Sequence, residues 1–198
     1  MIHKNNDGDI RLRTGDLNHF LSVVQYQKRI VDDHDKNIRN ADNEKIDDLN
    51  ERLASSLRER DHEIFPAYIS TMFTALFLEA FIYDYSARKS TSMANMLDKL
   101  DPPSKWVIAT KLFNDKGIET SNNCFSQLKK IFQLRNALAH NKSKAHEIGG
   151  SKPPSRIEVL EPDECLSIIK DILEELLKID SDEIYAKILI KRISCPMY

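Results

Sequence analysis

The chain has 198 residues, 41% hydrophobic and 30% charged. That balance fits one globular domain with an extension and excludes a disordered or fibrous protein. Its 29 basic and 31 acidic side chains give a formal net charge of -2, so overall charge offers no attraction to nucleic acid and any such binding needs a local patch. Only five glycines, set among long runs of Leu, Ile, Lys and Glu, favour helices over a turn-rich β architecture. Cys124, Cys165 and Cys195 are odd in number and widely spaced, which fits a reducing, cytoplasmic compartment rather than a disulfide framework or a metal site.

The first 14 residues are polar, read as loose, and lack the apolar core of a signal peptide. From Asp16, the residues Leu17, Phe20, Leu21 and Val24 recur at helical spacing. A polar run, "VDDHDKNIRNADNEKIDD", follows, and Ile46, Leu49, Leu53 and Leu57 resume the stripe. Residues 16 to 62 are therefore one long helix, or two with a break near 40. They form an N-terminal helical extension, residues 1–63, with a solvated or partner-facing arm. Pro66 suits the first turn of the next helix, which runs to about Arg88. Its apolar stretch "IFPAYISTMFTALFLEAFIY" approaches membrane-spanning length. Glu79, a proline and several hydroxyl residues interrupt it, so a central core helix and no membrane partner are expected.

A short helix is expected at 91–100, and another after Asp101, whose carboxylate caps "PPSKWVIATKLF". "NDKGIETSNN" is a loop. Ser121 or Asn122 caps a helix carrying Phe125, Leu128, Ile131, Phe132, Leu134 and Leu138. "IGGSKPPS" breaks the chain, and "RIEVL" reads as a short extended piece. Pro162 opens a strongly amphipathic helix that turns Leu166, Ile169, Ile172, Leu173, Leu176 and Leu177 inward. A terminal helix is expected at 182–193. Short loops between apolar-striped helices make the fold class all-α, an antiparallel helical bundle of about four core helices over residues 64–198.

One stretch, "QLRNALAHNK", carries chemistry on a packed helix. Asn136 and His140 are four apart and share a face. Arg135 is five from His140, about 140° around the helix, so one copy does not aim both at one atom. Two copies related by a two-fold axis do this more readily. From Lys129 to Arg156 the seven basic residues Lys129, Lys130, Arg135, Lys142, Lys144, Lys152 and Arg156 face only Glu147 along the chain. Such a patch suits a polyanion. The bland counterpart is that helix C-termini and flexible loops attract lysine and arginine anyway.

"LRNALAHNK" resembles the RX4-6H signature of the HEPN superfamily, the higher eukaryote and prokaryote nucleotide-binding domains. The polar residue after the arginine is Asn136. "ALFLEAFIYDYSARK" resembles a helix of the same family, and "KWVIATKLF" lies between the two as in several members. The likeness covers about residues 64–180. It implies a HEPN-like bundle that forms a homodimer, with the motifs meeting across it. It also implies a metal-independent endoribonuclease of a toxin–antitoxin or phage-defence (abortive infection) system, acting on RNA with no cofactor. An antitoxin or other regulatory protein is an expected partner. Members neutralised by a nucleotidyltransferase carry a tyrosine two positions after the histidine. Here Lys142 stands there, which speaks against that mode of control.

On this reading Arg135, Asn136 and His140 are the catalytic residues. Lys129, Lys130, Lys142 and Lys144 bind RNA, and Glu79 orients Arg135. A carboxylate inside an apolar helix needs a partner, and the alternative partner is a surface lysine. The rival reading is a non-catalytic HEPN-type RNA- or nucleotide-binding or protein-interaction module, in which the motif is a structural network. Other groupings fare less well. "DDHD" at 32–35 and "DHE" at 61–63 read as solvated helix faces rather than metal sites. Cys124 as a nucleophile served by His140 has four turns of helix between the two groups.

Overall fold

The structure, a computed structural model, describes residues 2–4, 10–12, 15–41, 49–140 and 158–195, with side chains placed over 17–36, 64–140 and 158–195. The chain is an all-α helical bundle. Helices α1 (Gly15–Ala41), α2 (Leu49–Lys89), α3 (Thr91–Leu97), α4 (Pro102–Asn114), α5 (Asn123–Ala139), α6 (Pro162–Ile179) and α7 (Ile184–Ser194) follow a small ribbon. That ribbon pairs β1 (Ile2–Lys4) antiparallel with β2 (Ile10–Leu12), His3 facing Arg11. Three-residue strands are too short to show a two-residue period, which is why this segment reads as loose in the sequence.

Helix α2 is the centre of the bundle and touches α1, α3, α4, α5 and α6. Its residues Phe77, Leu78, Phe81, Ile82 and Tyr85 are fully buried. Phe81 stacks on Trp106 of α4 with ring centroids 5.7 Å apart, and the Trp106 indole N–H donates to the Leu78 carbonyl at 3.2 Å. Over Ile64–Lys89 this helix is long and apolar enough to cross a membrane, yet half of its most apolar window is buried inside the bundle. That burial matches a core helix.

Helix α2 does not begin at Pro66. It runs 41 residues and carries Pro66 in its interior. Proline there removes one intrahelical hydrogen bond, a local cost of about 3 kcal/mol. Pro66 and Ala67 are buried, so packing compensates where helix propensity does not. The boundary expected at residue 63 thus falls inside a continuous helix. Helix α1 also enters the core. Leu21 and Val24 are fully buried, and Phe20 meets Phe73 of α2 edge to face at 5.9 Å. Ile46 and the side chains of Leu49, Leu53 and Leu57 lie outside the described residues.

Caps set the other ends. Asp101 accepts from the Ser104 N–H at 3.1 Å, and Asn122 from the Cys124 N–H at 3.1 Å. Helix α4 ends at Asp115, whose φ of 60° is left-handed. Two residues on, Gly117 lies so close to α4 that a Cβ there would sit 2.9 Å from the Lys111 Cβ. Of "RIEVL", only Glu158–Leu160 is described. It forms no strand: Leu160 is buried, and its N–H donates to Thr71 Oγ1 of α2 at 3.0 Å. Helix α7 is tied back to α1 by Arg192, which donates to Asn18 at 2.6 Å and Ser22 at 2.8 Å.

Candidate functional site

Helix α5 carries the motif. Cys124, Leu128, Ile131, Phe132 and Leu134 bury one face. Gln127 donates to Asp171 at 3.1 Å, and Asn122, besides capping α5, donates to Glu175 at 2.8 Å, so the helix is clamped to α6. Arg135 sits at the margin of the buried face, its guanidinium 5.8 Å from the centre of the Phe132 ring one turn earlier.

Arg135 Nη2 donates to Glu79 Oε2 of α2 at 3.2 Å. The side chains are 26% and 34% exposed, so the pair is partly rather than fully buried. Arg135 Nε is buried and has no hydrogen-bond partner among the described residues. The other Glu79 oxygen faces the Lys105 ammonium at 3.5 Å, and that ammonium lies 2.6 Å from Asp98. Glu79 therefore has both partners that its sequence context allows, the arginine and a lysine.

His140 is the C-cap of α5. Its N–H donates to the Asn136 carbonyl at 3.0 Å, and its own backbone has left the helical region, with φ -113° and ψ 19°. The side chains of Asn136 and His140 are exposed. Among the described residues no hydrogen bond or ion pair joins Arg135 to either of them. One chain presents the three groups on neighbouring surface without gathering them into one cleft.

The expected RNA-binding lysines divide. Lys129 is exposed, with its ammonium 5.9 Å from the centre of the Phe125 ring. Lys130 is held by Glu158 at 3.2 Å and Glu164 at 3.4 Å. Both carboxylates lie beyond the window in which the basic surplus is counted, and folding brings them onto it. Lys142 and Lys144 lie outside the described residues.

Cys124 is buried, and burial pushes its thiol up to about 11, so it stays protonated at neutral pH. It also lies about 24 Å along the helix from His140. A nucleophilic role for it has no support. Among the described residues no three His, Cys, Asp or Glu side chains gather into a metal-binding group. A cavity of about 250 Å³ between α1, α6 and the end of α7 is lined by Gln25, Lys28, Asp32, Asp163, Lys170 and Ile193, and by no residue of the motif.

Sequence reasoning missed Lys105 and Asp98. A signal for Lys105 was present: it precedes Trp106 and stands four before Ala109, on the stripe that α4 buries. Comparisons with protein-family models, with curated proteins and with solved structures give no match.

Proposed function

We propose that the chain is a metal-independent endoribonuclease of a toxin–antitoxin or phage-defence (abortive infection) system, acting in the cytoplasm as a homodimer. The resemblance of "LRNALAHNK" to the HEPN motif supplies the reaction class. The observation that carries the reading is the Arg135–Glu79 pair. It sets a partly exposed guanidinium on the helix that ends in an exposed His140, and the part of it that Glu79 does not hold is available to an anion.

In this reaction a ribose 2′-oxygen attacks the adjacent phosphorus while the bond from phosphorus to the 5′-oxygen breaks. His140 of one copy takes the 2′-hydroxyl proton, and His140 of the second copy gives a proton to the departing oxygen. Arg135 stabilises the charge that grows on the phosphoryl oxygens. Asn136 orients the phosphate or the imidazole. Lys129, Lys142 and Lys144 hold flanking phosphates, with Lys130 contributing where its carboxylates release it. The products are a 2′,3′-cyclic phosphate and a 5′-hydroxyl.

Support for the dimer comes from helix α2. Phe65, Leu76 and Tyr83 are exposed, and Ile69 and Met72 are half-buried. By helical spacing they form one stripe, and Glu79 lies between Leu76 and Tyr83 on it. An apolar face that contains the residue holding Arg135 suits a second copy, which would bring its own Arg135 and His140 alongside. Incubating the purified protein with mixed RNA in EDTA tests the reading through the cyclic phosphate.

A second reading is a non-catalytic interaction module that binds RNA, a nucleotide or a regulatory protein. The pairing of Arg135 with Glu79 and of Lys130 with Glu158 and Glu164 favours it, because paired charges also serve as structural ties. Absence of cleavage with intact RNA binding would select it.

A further inference from the structure

Lys105 is a lysine with 4% of its surface exposed, on α4 between buried neighbours. An ammonium so placed needs carboxylates around it. It has two: Asp98, the C-cap of α3, at 2.6 Å, and Glu79 of α2 at 3.5 Å. Glu79 in turn accepts from Arg135 at 3.2 Å. Four charges of alternating sign therefore run Asp98, Lys105, Glu79, Arg135, one from each of α3, α4, α2 and α5, and they sum to zero.

The hydrogen bonds within this chain are informative. An arginine and a carboxylate left to themselves form a two-pronged grip, both oxygens against two N–H groups. Here only Nη2 of Arg135 is engaged, and its buried Nε has no partner among the described residues. The oxygen that would serve Nε is Oε1 of Glu79, and Oε1 is the one turned to Lys105. Asp98 alone does not explain so buried a lysine, because its own side chain is more than half exposed and could be satisfied at the surface.

We infer that Lys105 is a positioning residue: its ammonium holds Glu79 Oε1 away from Arg135, so that the guanidinium is oriented by one bond and keeps its exposed edge turned outward for an incoming phosphate. The inference rests on the reading of Arg135 as a phosphate-binding group. Without Lys105, Glu79 closes onto Nε and Nη2 together, and the local charge falls from zero to minus one. The guanidinium is then turned toward Glu79 and is less attractive to an anion.

The test uses the full chain with ¹⁵N-labelled arginine and follows the Arg135 Nε–H signal by NMR, assigned by its loss in Arg135→Lys. In Lys105→Met the signal should move downfield and exchange more slowly, as a carboxylate captures it. Lys105→Arg should restore the wild-type position, and adding Glu79→Gln to Lys105→Met should reverse the shift. An unchanged signal in folded Lys105→Met overturns the inference. If that variant does not fold, Lys105→Gln decides: it removes the charge with a polar side chain nearly as long and should move the Arg135 signal downfield in the same way, and no movement there overturns the inference as well. Binding of a short RNA with a single 2′-deoxy residue at its centre supplies the second readout. Lys105→Met should weaken it about tenfold, and Lys105→Arg should recover most of that loss. If the wild type does not bind this RNA, the RNA reading falls, while the NMR response still decides the role of Lys105.

Discussion

Arg135 donates from Nη2 to Oε2 of Glu79 across 3.2 Å, and this bond joins α5 to α2 over 56 positions of sequence. Breaking a fully buried pair from one side costs about 3–5 kcal/mol, because the remaining charge is stranded. Glu79 is not stranded, since Lys105 remains beside it and a third of its side chain is exposed. Arg135→Ala should therefore lower stability by only about 1 kcal/mol, a fall in Tm of roughly 2–4 °C for a chain of this size. Cleavage should be lost. A fall well beyond 10 °C would mean that the pair serves folding first.

Much of the fold was legible because it follows from local rules. Asp101 and Asn122 cap their helices as the sequence suggests, and the stripe from Leu166 to Leu176 is buried as its period requires. Pro66 was not legible as a helix-interior residue, because the packing that offsets its missing hydrogen bond is tertiary. Glu79 could be paired with Arg135 in advance, since a lone carboxylate in an apolar helix demands a partner. The ties of Lys130 to Glu158 and Glu164 were hidden because a charge count along the chain does not see what α6 brings onto α5.

Those ties predict an uneven lysine patch. Affinity for single-stranded RNA should fall steeply with salt, the logarithmic slope shrinking by about 0.7 for each phosphate contact removed. Lys129→Ala combined with Lys142→Ala and Lys144→Ala should flatten it. Lys130→Ala should change it less, because its charge is already neutralised. Binding titrations across a salt series check this, and an equal effect of Lys130→Ala would show that its carboxylates yield to RNA.

The apolar stripe on α2 predicts a dimer. Light scattering should give about twice the 22.9 kDa chain mass. Leu76 is exposed, so Leu76→Glu should leave the fold intact, give a monomer and abolish cleavage. A monomeric wild type that cuts RNA would rule out the composite site.

Asp180 gives the bundle an acid-sensitive joint. Burial pushes its carboxyl up, but hydrogen bonds from Lys89 at 2.8 Å and Tyr85 at 3.0 Å outweigh that, so it titrates below the usual 3.8. A carboxyl with a depressed folded pKa contributes stability above its unfolded pKa and loses it as pH falls through the folded value. Wild type should exceed Asp180→Asn by about 2 kcal/mol near pH 7, and the gap should close below pH 3.8. Thermal melts from neutral to acid pH show it. A gap that persists in acid would trace the stability to packing instead.

His140 separates chemistry from folding, because it is exposed at the end of α5 and its side chain makes little packing that its removal could disturb. The most direct measurement compares wild type with His140→Ala on RNA in EDTA, with the 3′ ends of the products identified and both proteins melted in parallel. The wild type should give 2′,3′-cyclic phosphate ends, the variant at least a hundredfold less, and the two melting temperatures should be nearly equal. Cleavage by His140→Ala at the wild-type rate, or wild-type activity that vanishes in EDTA, would contradict it.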